Sequence, residues 1–94
     1  MKLYEIQLKT EKYYKLTPNV IFKKSRLQGL VWDRFFFFKI AKEEFGFTLQ
    51  AIGDFAGGKD YTTVIYGIKQ IGIVYGELEK YDKYKDEILK DIIL

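Results

Sequence analysis

Apolar residues recur along this chain at offsets of three and four, the spacing of helices and not the alternation of strands. The periodic blocks predict helices at roughly 3–15, 17–22, 30–45, 48–56, 60–76 and 78–93. The most informative pair lies within FTLQAIGDFAGGKDYTTVIYGIKQI, from Phe47 to Ile71. Thr48 is placed to cap a short helix in which Leu49, Ile52 and Phe55 share one face. Gly57 and Gly58 end it, because glycine enters the left-handed conformation past a helix C-terminus without steric cost. Asp60 starts the chain again: its carboxylate can accept from the amide of Thr62 or Thr63, a cap worth about 1 kcal/mol. In the second helix Val64, Ile68, Ile71, Tyr75 and Leu78 form the predicted buried stripe. Tyr61, Thr62, Thr63 and Tyr66 lie off it, at the exposed N-terminal end. A short helix, a glycine turn and a longer helix with a polar start have the layout of a helix-turn-helix.

The flanking blocks supply its support. Residues 3–15 are rich in Lys, Glu and Tyr, with Tyr13 and Tyr14 on the inner face. Thr17 before Pro18 is a helix-start signal, which predicts a short helical turn over 17–22. A basic segment, KKSRLQG, leads into a long helix carrying VWDRFFFFKIAKEEF. Four consecutive phenylalanines sweep about 300° of a helix at about 100° per residue, so they cannot face a single neighbour. A helix surrounded by others would bury most of them. Gly46 is the expected stop. In the last block Tyr81, Tyr84, Ile88 and Ile92 make a stripe, which Leu89, Ile93 and Leu94 widen. The expected fold class is all-α: five or six helices in a single domain, 1–94, with the helix-turn-helix at its centre.

Composition narrows the function. With 94 residues, of which 48% are hydrophobic, the chain holds one modest core and has no room for a nucleotide-driven motor. It contains neither cysteine nor histidine, which excludes disulfides and thiolate or imidazole metal sites, and no cofactor is expected. The N-terminus lacks the apolar core of a signal peptide, and the longest apolar run, Phe35 to Phe38, is too short to span a bilayer. A cytoplasmic protein without a membrane partner is expected. Gly53 to Lys59 matches the GxxxxGK half of a phosphate-binding loop. Asp60 follows where that loop needs Ser or Thr, and the preceding segment is helical, so no nucleotide is expected. The carboxylate pairs, such as Glu43 with Glu44, sit in solvated charge runs, and nothing predicts an enzyme.

Charge points to a polyanion. Net charge is +3. Residues 1–47 carry 10 basic and 5 acidic groups, and residues 48–94 carry 6 and 8. Between positions 12 and 42 Asp33 is the only acidic residue. Such a field steers duplex DNA to one side, where a helix can enter the major groove with its polar, dipole-positive end while the helix before it crosses the backbone.

LQAIGDFAGGKDYTTV resembles the signature of the C-terminal helix-turn-helix domain, domain IV, of the bacterial replication initiator DnaA. The glycine pair, the basic residue, Asp60 and both threonines stand in register, and the resemblance runs without gaps from about Thr10 to Ile71. It implies an all-α, Trp-repressor-like fold and double-stranded DNA as partner, in a replication-origin or transcription-regulatory role. It further implies that Asp60 and Tyr61 approach base edges, the aspartate accepting from a cytosine amino group. Thr62 would set its methyl against a thymine methyl, and Thr63 would donate to a phosphate with Lys59 adding charge. The basic loop would reach the adjacent minor groove with an arginine. This chain has Gln28 at that position, the expected base contact there, and Leu27, Gly29 and Trp32 at neighbouring basic positions. Lys23, Lys24, Arg26, Arg34 and Lys42 keep phosphate-directed charge. The signature's usual histidine is Tyr61. These departures, with the aromatic residues and the apolar last helix, motivate an alternative: a protein-interaction module or homodimer on the same scaffold with little DNA affinity.

Overall fold

The run of phenylalanines lies on α2 (Gly29–Glu43), which packs against each of the other four helices: α1 (Leu3–Tyr13), α3 (Leu49–Phe55), α4 (Tyr61–Ile73) and α5 (Glu77–Lys90). The computed structural model describes residues 1–23 and 29–90; among them there is no strand, and the class is all-α. Phe36, Phe37 and Phe38 are buried and point to different neighbours. Phe36 meets Tyr81 and Tyr84 of α5, while Phe37 stacks on Phe55 of α3. Each fully buried ring contributes about 1.5 to 3 kcal/mol of transfer free energy, so the helix that carries three of them is the natural centre of the core. Phe35 alone is half-buried, at the junction with α4.

Helix ends follow their local chemistry. Gly46 takes φ +73° after α2, and the Phe47 amide reaches back to the Ala41 carbonyl at 3.1 Å, closing the helix end. Thr48 caps α3 through the Ala51 amide at 3.0 Å. Asp60 caps α4 through the Thr62 amide at 3.2 Å.

The expected helix at 17–22 is replaced by turns. The amides that would enter a helix are taken by a side chain of another element: the buried Glu11 carboxylate accepts from the amides of Asn19 at 3.0 Å and Ile21 at 3.1 Å, and also from the Gln7 amide group at 3.2 Å. Asn19 itself sits at φ +69°, outside the helical region. Arg34 completes the clamp, its guanidinium donating to the carbonyls of Ile21 and Lys23. Segment 19–23 is thus held between α1 and α2 by one acidic and one basic side chain.

The predicted helix at 60–76 ends at Ile73. Val74 is extended, and Gly76 at φ +84° turns the chain into α5. The buried stripe therefore stops at Ile71: Tyr75 is 101% exposed and Leu78 49%. α5 buries Tyr81, Tyr84 and Ile88 as expected, while Ile92, Ile93 and Leu94 lie outside the described residues. Its tie to α1 is polar as well as apolar. The Thr10 hydroxyl donates to the Ile6 carbonyl at 2.8 Å, which leaves its oxygen to accept from the Tyr84 hydroxyl at 2.7 Å, all within the core.

Candidate functional site

α3 and α4 meet through a turn whose shape depends on glycine at three places. Gly57 and Gly58 adopt φ +92° and +75°, the left-handed region. Gly53 serves a different purpose. The Lys59 carbonyl passes directly over it, so a Cβ there would collide with that oxygen, and the Lys59 amide donates to the Gly53 carbonyl at 2.8 Å. The residues that imitate a phosphate-binding loop are spaced as they are because Gly53 lets the returning backbone of residue 59 lie against α3.

The turn delivers Lys59, Asp60, Tyr61, Thr62 and Thr63 together at the start of α4, all exposed. Asp60 accepts from Thr62 through its side chain and from the Thr63 amide through its carbonyl, at 3.0 Å for the latter. Its cap role uses one carboxylate oxygen, at an exposed helix end that carries partial positive charge. Tyr61 is 54% exposed. The inner face of the same helix is anchored by Val64 and Ile71, both fully buried, so its outer face and its N-terminal end are held in a fixed attitude against the core.

The charged residues expected to support this end are distributed. Lys23 is exposed at the close of the clamped segment. Arg34 is half-buried and engaged with the carbonyls of Ile21 and Lys23, so it holds that segment against α2. Lys24, Arg26 and Gln28 lie outside the described residues. Lys42 stands in the last turn of α2, roughly 12 Å along the helix from Arg34 at 1.5 Å per residue. There it lines a shallow groove of about 360 Å³ with Leu49, Ile65, Ile68 and Lys69. Lys59 and Asp60 to Thr63 therefore form one cluster, while Lys42 stands apart in the groove beside Ile65 and Lys69, and Lys23 beside Arg34.

Two exposed residues of α4 extend the cluster beyond the sequence-based set. Tyr66 and Lys69 follow Thr62 at offsets of four and seven, on one face of the helix. That spacing was visible in the sequence; what was not visible is the contact of the Tyr66 ring with Phe35.

Comparison with known proteins bears on this arrangement. The family model for the bacterial dnaA protein helix-turn-helix matches residues 3–71. The chain is similar to the chromosomal replication initiator protein DnaA of Leifsonia xyli subsp. xyli, 34% identical over 67 residues, which covers 71% of this chain and 14% of that protein. It is also similar to the proteins of the same name from Neisseria meningitidis and Neisseria gonorrhoeae, each 33% identical over 60 residues, covering 64% of this chain and 12% of the relative. The chain thus spans a small part of the length of these relatives. No solved structure matches it. α5 lies beyond the residues that the family model covers.

Proposed function

The chain belongs to the family of the bacterial dnaA protein helix-turn-helix, and on that premise we propose that it binds duplex DNA sequence-specifically by inserting the start of α4 into the major groove. DNA binding as such follows from the family. Sequence specificity and biological role are our reading, and one observation carries the former: a fixed, exposed helix start that presents Asp60, Tyr61, Thr62 and Thr63 side by side. Side chains of these types at a helix N-terminus have the reach and the donor and acceptor chemistry for base edges, and the free amides suit a phosphate. In this reading Asp60, Tyr61 and Thr62 read bases, while Thr63 and Lys59 hold the backbone, with Lys23 and Lys42 adding charge. Gln28 and the basic residues Lys24 and Arg26, which precede α2 in sequence, join them in this reading.

The relatives are named chromosomal replication initiators, which favours a replication-origin element over a transcriptional operator as the target. Family membership also favours DNA over the interaction-module alternative.

Electrophoretic shifts over a random duplex pool at two salt concentrations test the proposal. Binding at about 50 mM salt that weakens steeply with added salt is expected, and a chain that shifts no duplex there contradicts it. Selection from the same pool should enrich one motif. Thr63→Ala and Lys59→Ala should weaken binding to all sequences, the lysine change also lowering the salt slope by about one. Asp60→Asn keeps a competent cap but replaces one acceptor oxygen by a donor. With Thr62→Ala it should change base preference, by about 1 to 3 kcal/mol per contacted pair.

A further inference from the structure

Tyr66 is 58% exposed, yet its ring is not free to turn at random. It lies edge to face against Phe35, with centroids 6.1 Å apart at 82°. Phe35 in turn is seated in the space that Gly67 leaves empty: a Cβ at position 67 would come within 2.5 Å of the Phe35 ring. Trp32, in the first turn of α2, closes the row from the other side, 5.4 Å from Phe35 at 80°. The three rings join α4 to the beginning of α2, and Tyr66 stands at the molecular surface.

The position of Tyr66 is set by helix geometry. Tyr66 is one turn beyond Thr62 and three residues beyond Thr63, so it stands on the ridge between the two, about 6 Å further along the axis. A helix that enters a groove with its first turn meets base edges there, and its later turns run beside the groove wall. Phe35 packs on the Tyr66 ring from the side of α2, and a side chain one turn beyond the inserted end stands beside the groove wall. Tyrosine hydroxyls are among the donors that proteins direct at phosphate oxygens. A donor already held by ring packing also loses little rotamer freedom when it binds.

We infer that Tyr66 is a phosphate-contacting residue of this chain, a neutral donor that positions α4 in the groove one turn beyond the base-reading end. The inference rests on the proposed duplex binding, and it makes a different demand. A hydroxyl displaces no condensed counterion, so it contributes affinity without contributing to the salt slope.

Tyr66→Phe removes the hydroxyl and keeps the ring against Phe35, so the thermal midpoint should be unchanged. Its binding should fall about 3- to 12-fold, equally on the selected duplex and on a scrambled one, with a salt slope equal to that of the unsubstituted chain. Lys59→Ala, measured beside it, should lower the slope. Methylphosphonate substitution, one phosphate at a time along the selected duplex, gives a second readout. At one phosphate the neutral linkage should weaken the unsubstituted chain more than it weakens Tyr66→Phe. Equal binding by Tyr66→Phe and the unsubstituted chain overturns the inference while leaving duplex binding intact, and so does a loss confined to the selected sequence. If the unsubstituted chain shifts neither duplex, the inference falls together with the function it rests on.

Discussion

Glycines of this chain divide into those that a methyl group would damage and those that it would not. At Gly53 an added Cβ meets the Lys59 carbonyl, a backbone atom that cannot move without opening the turn between α3 and α4. Gly53→Ala should therefore cost about 1 to 3 kcal/mol. Gly72, inside α4, has nothing within 4 Å of the same atom. Gly72→Ala should stabilise by roughly 0.5 to 1 kcal/mol, through helix propensity alone. Urea midpoints of the two variants check both signs at once. The pair also marks what could be read at this scale from sequence. The caps at Thr48 and Asp60 depend on neighbours two or three residues away, and both were legible. The reason for Gly53 depends on a carbonyl six positions later that folds back over it, and the sequence offered no sign of it beyond a spacing that half-matches a phosphate loop and fails as one.

Among the elements, α5 shows how a single hydroxyl changes sign with its surroundings. Tyr84 donates to Thr10 across the α1–α5 contact. Tyr81, a turn away and equally buried, has no hydrogen-bond partner for its hydroxyl among the described residues, although its ring packs on Phe36 and under the Lys39 ammonium. Burial holds both phenols well above their ordinary pKa, so both stay neutral. Tyr84→Phe should cost about 1 kcal/mol, whereas Tyr81→Phe should gain roughly the same by removing an unsatisfied polar group. Thermal unfolding of the two single variants distinguishes them directly. Element boundaries were legible where local signals governed them, as at Gly46 and Gly57. They were not legible at 17–22, where Thr17 and Pro18 signalled a helix but the Glu11 carboxylate and the Arg34 guanidinium, both distant in sequence, took its amides and carbonyls. The end of α4 was misplaced for a simpler reason. The apolar period continues through Tyr75 and Leu78, but Val74 leaves the helix and both residues face outward.

For the molecule as a whole, the central position of α2 makes folding sensitive to pH. Asp33 is buried on this helix, and burial raises its carboxyl to about 6 while the Arg34 charge lowers it in part. The folded state therefore holds this proton more tightly than the unfolded chain does. Its contribution to stability is complete below the unfolded value of 3.8, declines as pH rises, and is lost above about 6. Asp33→Asn removes the titration. The variant should match the parent near pH 4 and exceed it by roughly 2 kcal/mol at pH 7.5, which denaturant titrations at the two pH values measure. At this scale the all-α class and the burial of the phenylalanine run were legible, since no other arrangement covers 300° of one helix. The distribution of supporting charge was not, because Arg34 and Lys42 are close in sequence yet serve different ends of the same helix.

The hydrogen bond between Thr10 and Tyr84 spans 74 positions, and this gives the fold an order in time. A chain emerging from the ribosome holds α3 and α4 before α5 exists, and their contacts are local, so the helix-turn-helix pair can form early. The face of Phe36 and Ile6 stays open until Tyr84 arrives, for on the order of one to a few seconds at ordinary rates of synthesis. Within that interval the nascent domain has its helix-turn-helix and an uncovered core together. A chain cut back to the family-matched residues 3–71 would remain in that state, prone to self-association in proportion to its concentration.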